Sequence, residues 1–176
     1  MAKVRVGING FGRIGRQVFR ALHQSYRDRV EVVALNDLYD AKTNFELAEY
    51  DSCYGRAHLD AQVDGQEAKV GDWNIHCFAE RDPKNLKWGD YGVDIVTHAT
   101  TKYMDGHGSC VGGAIVDSGR FDWMAHADKS PGLTTPDDSY HGVTYATDFG
   151  PAAYIIKATA QLMRDFGSTP APINSW

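Results

Sequence analysis

Val4-Arg5-Val6-Gly7-Ile8 alternates and is β-branched, and it runs straight into Asn9-Gly10-Phe11-Gly12-Arg13-Ile14-Gly15. Beyond that turn Ile14, Val18, Leu22 and neighbouring Ala21 recur at helical spacing, so the chain begins as strand, glycine turn, helix. A second strand at Val30 to Leu35 stops at Asn36-Asp37, which places Asp37 22 residues beyond Gly15 at a strand end. The glycine triplet alone is a weak signal, but its place between strand and helix with Asp37 ending the next strand favours a nucleotide cradle over a plain glycine turn with a solvated Asp. Gly10 permits the tight turn, Gly12 lets backbone N–H groups approach a pyrophosphate, and Gly15 lets helix and strand pack closely. Asp37 can accept both hydroxyls of an adenosine ribose and would repel a 2′-phosphate, which selects NAD over NADP.

The following segments continue the α/β alternation. Thr43 to Ala48 reads as a short helix starting from a Thr cap with Glu46 three residues on. Arg56 to Val63, Glu67 to Val70 and Trp73 to Phe78 read as extended pieces parted by Asp64-Gly65 and Gly71-Asp72. Val93 to Val96 reads as a buried, parallel-type strand after a turn at Trp88-Gly89-Asp90. Ser109 to Val116 is a strand too close in sequence to return in parallel, so it is expected as an antiparallel edge. Ser130 to His141 reads as an exposed loop. A helix over 149–166, capped by Asp148 with Pro151 in its first turn, is expected to cover the sheet with Ala152, Ile155, Ile156, Thr159, Leu162, Met163 and Phe166. The fold class is therefore α/β: a Rossmann-like doubly wound sheet, mostly parallel, extended by one antiparallel edge strand. At 176 residues a single domain is expected.

Composition removes several function classes. A net charge of −5 speaks against a nucleic-acid partner, and no apolar run approaches a membrane span. Cys53, Cys77 and Cys110 are an odd, widely spaced set, read with the unremarkable N-terminus as reduced thiols in a cytoplasm. Histidines 98, 107, 126 and 141 lack tight metal spacing, and Cys110 has no identifiable paired base. Composition also changes along the chain. Residues 1–96 carry 13 Lys or Arg and 15 Asp or Glu, five of them Glu, whereas residues 97–176 carry 5 and 8 and every acid is Asp.

The change of composition coincides with a change of resemblance. Val6 to Arg16, Asn36-Asp37-Leu38, Tyr50-Asp51-Ser52, Ala79-Glu80-Arg81-Asp82-Pro83 and Trp88-Gly89-Asp90 closely resemble the NAD-binding half of glyceraldehyde-3-phosphate dehydrogenase. This resemblance implies that Gly10, Phe11, Gly12, Arg13 and Ile14 hold the pyrophosphate, Asp37 the adenosine ribose, and that Arg81 lies near the adenine. It stops near residue 96. That family continues with Ser-Thr-Gly and later a Ser-Cys-Thr-Thr-Asn nucleophile segment, where this chain has Thr97-His98-Ala99-Thr100-Thr101 and Ser109-Cys110-Val111-Gly112.

From about residue 93, His98 to Gly108, Val111-Gly112-Gly113, Ile115 to Gly119, Phe121-Asp122-Trp123, Ser139 to Gly142 and Leu162 to Gly167 resemble O-acetylhomoserine sulfhydrylase, a pyridoxal-phosphate enzyme. The resemblance implies that Lys102 corresponds to the Schiff-base lysine and Thr101 to a phosphate contact. Ala99 replaces a phosphate-binding Ser, and the family's upstream glycine loop, stacking aromatic and pyridine-pairing Asp are missing. The joint falls at Gly92 to Val96, a strand that both families write almost alike.

The chain thus reads as a chimera made in a laboratory, a single domain assembled from fragments 1–96 and 97–176. Its end at Asn174-Ser175-Trp176 is read the same way. Three functions compete: an engineered α/β scaffold without natural catalysis that keeps weak NAD binding, a pyridoxal-phosphate enzyme using Lys102, and a residual NAD-dependent oxidoreductase. The first is preferred, since both catalytic sets are incomplete; pyridoxal phosphate is not expected as a cofactor.

Overall fold

The computed structural model describes residues 3–101, 112–167 and 169. Contacts divide the chain into two compact units, one over Lys3–Ala99 and one from Thr100 onward.

The first unit is built on six strands of one sheet in the order β5-β6-β7-β2-β1-β8. They are β1 (Val4–Asn9), β2 (Val30–Asn36), β5 (Gln62–Asp64), β6 (Glu67–Val70), β7 (Trp73–Phe78) and β8 (Ile95–Ala99). β7, β2, β1 and β8 run parallel, with Val6 opposite Val32 on one side and Ile95 on the other. β5 and β6 extend the β7 edge antiparallel. β3 (Tyr50–Asp51) and β4 (Gly55–Arg56) form a separate two-stranded ribbon. Val32, Val33, Ala34 and Leu35 are all buried, the continuous burial of a strand covered on both faces.

Helix α1 (Arg13–Ser25) buries Gly15, Phe19 and Arg20, while Ile14 is 56% exposed. The predicted 14-18-22 stripe is therefore turned by one residue. A Cβ on Gly15 would overlap the carbonyl oxygen of Gly10, so Gly15 must face the turn, and hydrophobic periodicity cannot register a glycine. Phe19 is then packed edge-on against Phe11, Phe45 and Trp73, each ring centroid within 5.7 Å. Helix α2 (Ala41–Glu49) starts two residues before the expected Thr43 and is capped by Asp40, whose carboxylate accepts from both the N–H and the hydroxyl of Thr43. Between Arg56 and Gln62 the expected strand is broken by His58 and Asp60, both at positive φ.

In the second unit β9 (Gly113–Asp117) is the strand expected from Ser109, whose first residues lie outside the described region. Residues 130–141 are more ordered than a surface loop. They hold α3 (Pro131–Thr134), which buries Leu133, and a 3₁₀ turn at Asp138–Tyr140. The predicted long helix is segmented into α4 (Tyr145–Phe149), a 3₁₀ turn at Gly150–Ala152, α5 (Ala153–Lys157), a π-helical turn at Ala158–Met163 and α6 (Arg164–Phe166). Asp148 does not cap it, because its carboxylate reaches back to the N–H of Thr144. The π turn departs from a 3.6-residue repeat, and Leu162, Met163 and Phe166 of the expected buried face are 50%, 40% and 77% exposed. Among the described residues no helix is long and apolar enough to cross a membrane.

Candidate functional site at the ends of the parallel strands

Strand β1 is the topological switch point of its sheet: α1 carries the chain to β2 on one side, and β8 flanks the other. Ligands of open α/β sheets bind outside the carboxyl ends of the strands at such a point. There Gly10 adopts φ +94° and donates its N–H to the Asn36 carbonyl at 2.8 Å, joining the glycine turn to the end of β2. Among the described residues nothing lies within 4 Å of where a Gly12 Cβ would project, so they leave the turn open where a phosphate would approach. The first turn of α1 has neither an acidic side chain nor a side-chain cap, which leaves its N-terminal N–H groups available to an anion.

The other predicted residues are placed unequally. Asp37 Oδ2 accepts the Phe11 N–H at 2.8 Å and Oδ1 accepts the Tyr39 N–H at 3.2 Å. A carboxylate has about four acceptor positions, so capacity remains for ribose hydroxyls. Phe11 is 0% exposed and its N–H is committed to Asp37, so this residue anchors the turn in the core. Arg13 is exposed and donates to Cys53 Sγ at 2.9 Å. Ile14 offers backbone only, its side chain projecting to solvent. Arg81 is exposed just past the end of β7, in the segment beginning at Glu80 that Asn36 holds.

Two residues of this end of the sheet escaped the sequence reading. Asn36 is 7% exposed; its amide donates to Asn9 Oδ1 and to the Glu80 carbonyl while its oxygen accepts the Glu80 N–H. The signal was an amide closing the apolar run Val32–Leu35. His98 pairs with Asn9 in the β1–β8 register, and its Nδ1 lies 2.6 Å from the Asn9 carbonyl oxygen.

On the pyridoxal-phosphate side, Lys102, His107 and Cys110 lie outside the described residues. The Thr101 hydroxyl accepts the Gly112 N–H at 3.1 Å and donates to the Gly112 carbonyl at 3.3 Å, so it is engaged in both roles by backbone. Cys77 is a core residue whose burial pushes its thiol up to about 12.

A parallel sheet with a glycine turn at its switch point and an acid ending the next strand defines a Rossmann-type nucleotide-binding unit. By its match over residues 4–106 the chain belongs to the glyceraldehyde 3-phosphate dehydrogenase NAD-binding domain family, and by its match over residues 82–176 it belongs equally to the Cys/Met metabolism PLP-dependent enzymes. It is 51% identical over 100 residues to glyceraldehyde-3-phosphate dehydrogenase of Geobacillus stearothermophilus, covering 57% of this chain and 29% of the relative. The same enzyme of Priestia megaterium is 50% identical over 97 residues, 55% and 28% of the two chains. Sulfhydrylase FUB7 of Gibberella moniliformis is 44% identical over 86 residues, 49% of this chain and 20% of the relative. The chain spans less than a third of the length of any of these curated relatives. The two family matches overlap at residues 82–106, and β8 lies inside that overlap.

Proposed function

We propose that this protein is an engineered α/β scaffold, a chimera without natural catalytic activity, that keeps the adenosine half of an NAD site. The observation that carries the reading is the position of the changeover. The glycine turn, α1 and Asp37 lie wholly upstream of the overlap at 82–106, whereas the family's Ser-Thr-Gly belongs inside it, where this chain has Thr97-His98-Ala99, and its nucleophile segment belongs downstream, where the other family is written. Gly10, Gly12, Arg13, Ile14 and the N-terminus of α1 hold the pyrophosphate, Phe11 supports the turn from beneath, Asp37 holds the ribose and Arg81 borders the adenine. NAD, when bound to a complete dehydrogenase, supplies a hydride acceptor; this chain supplies neither the nucleophile nor the base of the dehydrogenase resemblance. Lys102 has no accompanying pyridine partner in the sequence, which disfavours pyridoxal phosphate. The protein is further proposed to be cytoplasmic and to have no nucleic-acid or membrane partner.

Binding through one half gives an affinity nearer millimolar than micromolar, about −4 to −5 kcal/mol. Calorimetric titration tests it: Asp37→Ala weakens NAD binding and narrows the preference over NADP. Micromolar NAD binding indifferent to Asp37→Ala, or no binding of NAD, ADP-ribose and AMP alike, refutes the half-site. Measurable oxidation of glyceraldehyde 3-phosphate, or sulfhydrylation of O-acetylhomoserine lost in Lys102→Ala, refutes the absence of catalysis.

A further inference from the structure

The strand order β2-β1-β8 sets three features side by side: Asp37 ending β2, the glycine turn ending β1, and His98 near the end of β8. His98 therefore stands on the side of the turn away from Asp37, where the part of a nucleotide beyond its first phosphate would lie. Its ring is 3.8 to 4.0 Å from the place a Cβ on Gly10 would occupy. The Asn9 carbonyl 2.6 Å from Nδ1 can only accept, so Nδ1 carries a proton and Nε2 is left as the acceptor, or, once protonated, as a second donor.

We propose that His98 makes this site selective for an adenosine diphosphate ending in a free phosphate, over the full dinucleotide. The inference rests on the reading that Asp37 and the glycine turn hold an adenosine nucleotide. A terminal phosphate loses its second proton only near pH 6, so it can keep one to donate. Such an end can donate a proton of its own to Nε2, or accept from Nε2 when that nitrogen carries one. The pyrophosphate of NAD is esterified at both ends and has no such proton to share, and its nicotinamide ring brings a positive charge toward the same side. Among the described residues, Asp51 is an anion on the ribbon side of α1, tied to Gln17 and to the Cys53 and Tyr54 N–H groups, and the charges at the turn itself favour an anion. On α1, Arg13 and Arg16 are cations at the turn, Arg16 donating to the Phe11 carbonyl at 3.1 Å. On β1, Arg5 is engaged with the Tyr91 carbonyl and Glu31 at the opposite end of the strands. Asp37 lies across the turn from His98, at the end of β2.

The test is calorimetric titration of the whole chain with ADP, AMP and NAD, repeated on His98→Gln, whose amide can still donate to the Asn9 carbonyl. ADP is expected to bind about tenfold more tightly than AMP or NAD, the worth of one charge-assisted hydrogen bond. In His98→Gln the ratio of ADP to AMP affinity falls to within about twofold. If that variant does not fold, His98→Asn carries the same comparison. Equal affinities for ADP and NAD, or for ADP and AMP, in the unsubstituted protein overturn the proposal, as does an ADP advantage that survives the substitution. Failure of all three nucleotides to bind removes the half-site itself, a separate result from loss of the ADP preference alone.

Discussion

The two units differ in how they bury their apolar residues. Residues 3–99 enclose a dense core in which Phe11, Phe19, Phe45 and Trp73 interlock edge to face, and Phe78, Trp88 and Tyr91 pack around Val33, Ala34 and Val93. Among the described residues from 112 on, the buried apolar residues are Trp123, Leu133, Tyr145 and Ala153, joined by polar contacts such as Lys157 to Asp137 at 3.1 Å and Tyr140 to the Ala160 carbonyl at 2.9 Å. The first fragment carries a nearly self-sufficient supersecondary core. The match of the second covers a fifth of its relative's length, and among the described residues several of its large side chains, including Val116, Leu162 and Phe166, stay exposed.

The comparison breaks most visibly if core truncations cost the same in both units. Phe19→Ala removes the ring at the centre of four aromatic contacts and is expected to destabilise by about 3–5 kcal/mol, against about 2 kcal/mol for Leu133→Ala, read from denaturant midpoints. Equal shifts would show that the second core is as deep as the first. A smaller effect sharpens the link between packing and site: Gly15→Ala forces the helix away from the Gly10 carbonyl, with an expected loss of about 1–3 kcal/mol and of nucleotide binding. Retained binding would mean that the turn tolerates displacement.

The smallest effects separate the units by pH. His23 packs between Phe19 and Trp73, and burial, reinforced by Arg27, lowers its pKa despite the opposing charge of Asp72. Its neutral form is favoured in the folded state, so stability is present above the ordinary histidine range and declines as pH falls through about 6.5. Asp137 is held at about 2 by its hydrogen bonds from Ser139 and Lys157, so its contribution persists until pH drops below about 4 and is lost toward 2. Melting temperatures at pH 7.5, 5.5 and 3.5 check both windows. A His23→Gln protein should lose the upper slope, and an unchanged slope would place that sensitivity elsewhere.

How much of this was legible in the sequence depends on whether the signal was local. Gly10, Gly12, Gly15 and Asp37 fall at the strand ends and turn that their spacing implied, because strand, tight turn and helix are short-range consequences of residue type. The buried face of α1 was misjudged by one position, since its anchor is a glycine whose burial serves a close approach. Arg20 bears no local mark of burial in the sequence. It is 4% exposed, donating to the Tyr54 and Gly55 carbonyls, a contact set by the ribbon 34 and 35 residues away. The cap at Asp40 was missed because Thr43 and Glu46 imitate a capping box, and the segmented helix after Tyr145 because apolar periodicity cannot reveal a π turn.

The hydrogen bonds of Asn36 have a kinetic and calorimetric consequence. One amide fastens the ends of β1 and β2 to the chain leaving β7, and the Gly10 N–H is fixed to the same residue's carbonyl. A cradle held in this way is assembled before any nucleotide arrives. Association should therefore proceed in one fast step at a diffusional rate, with a small heat-capacity change, and weakness should appear as rapid dissociation instead of slow capture.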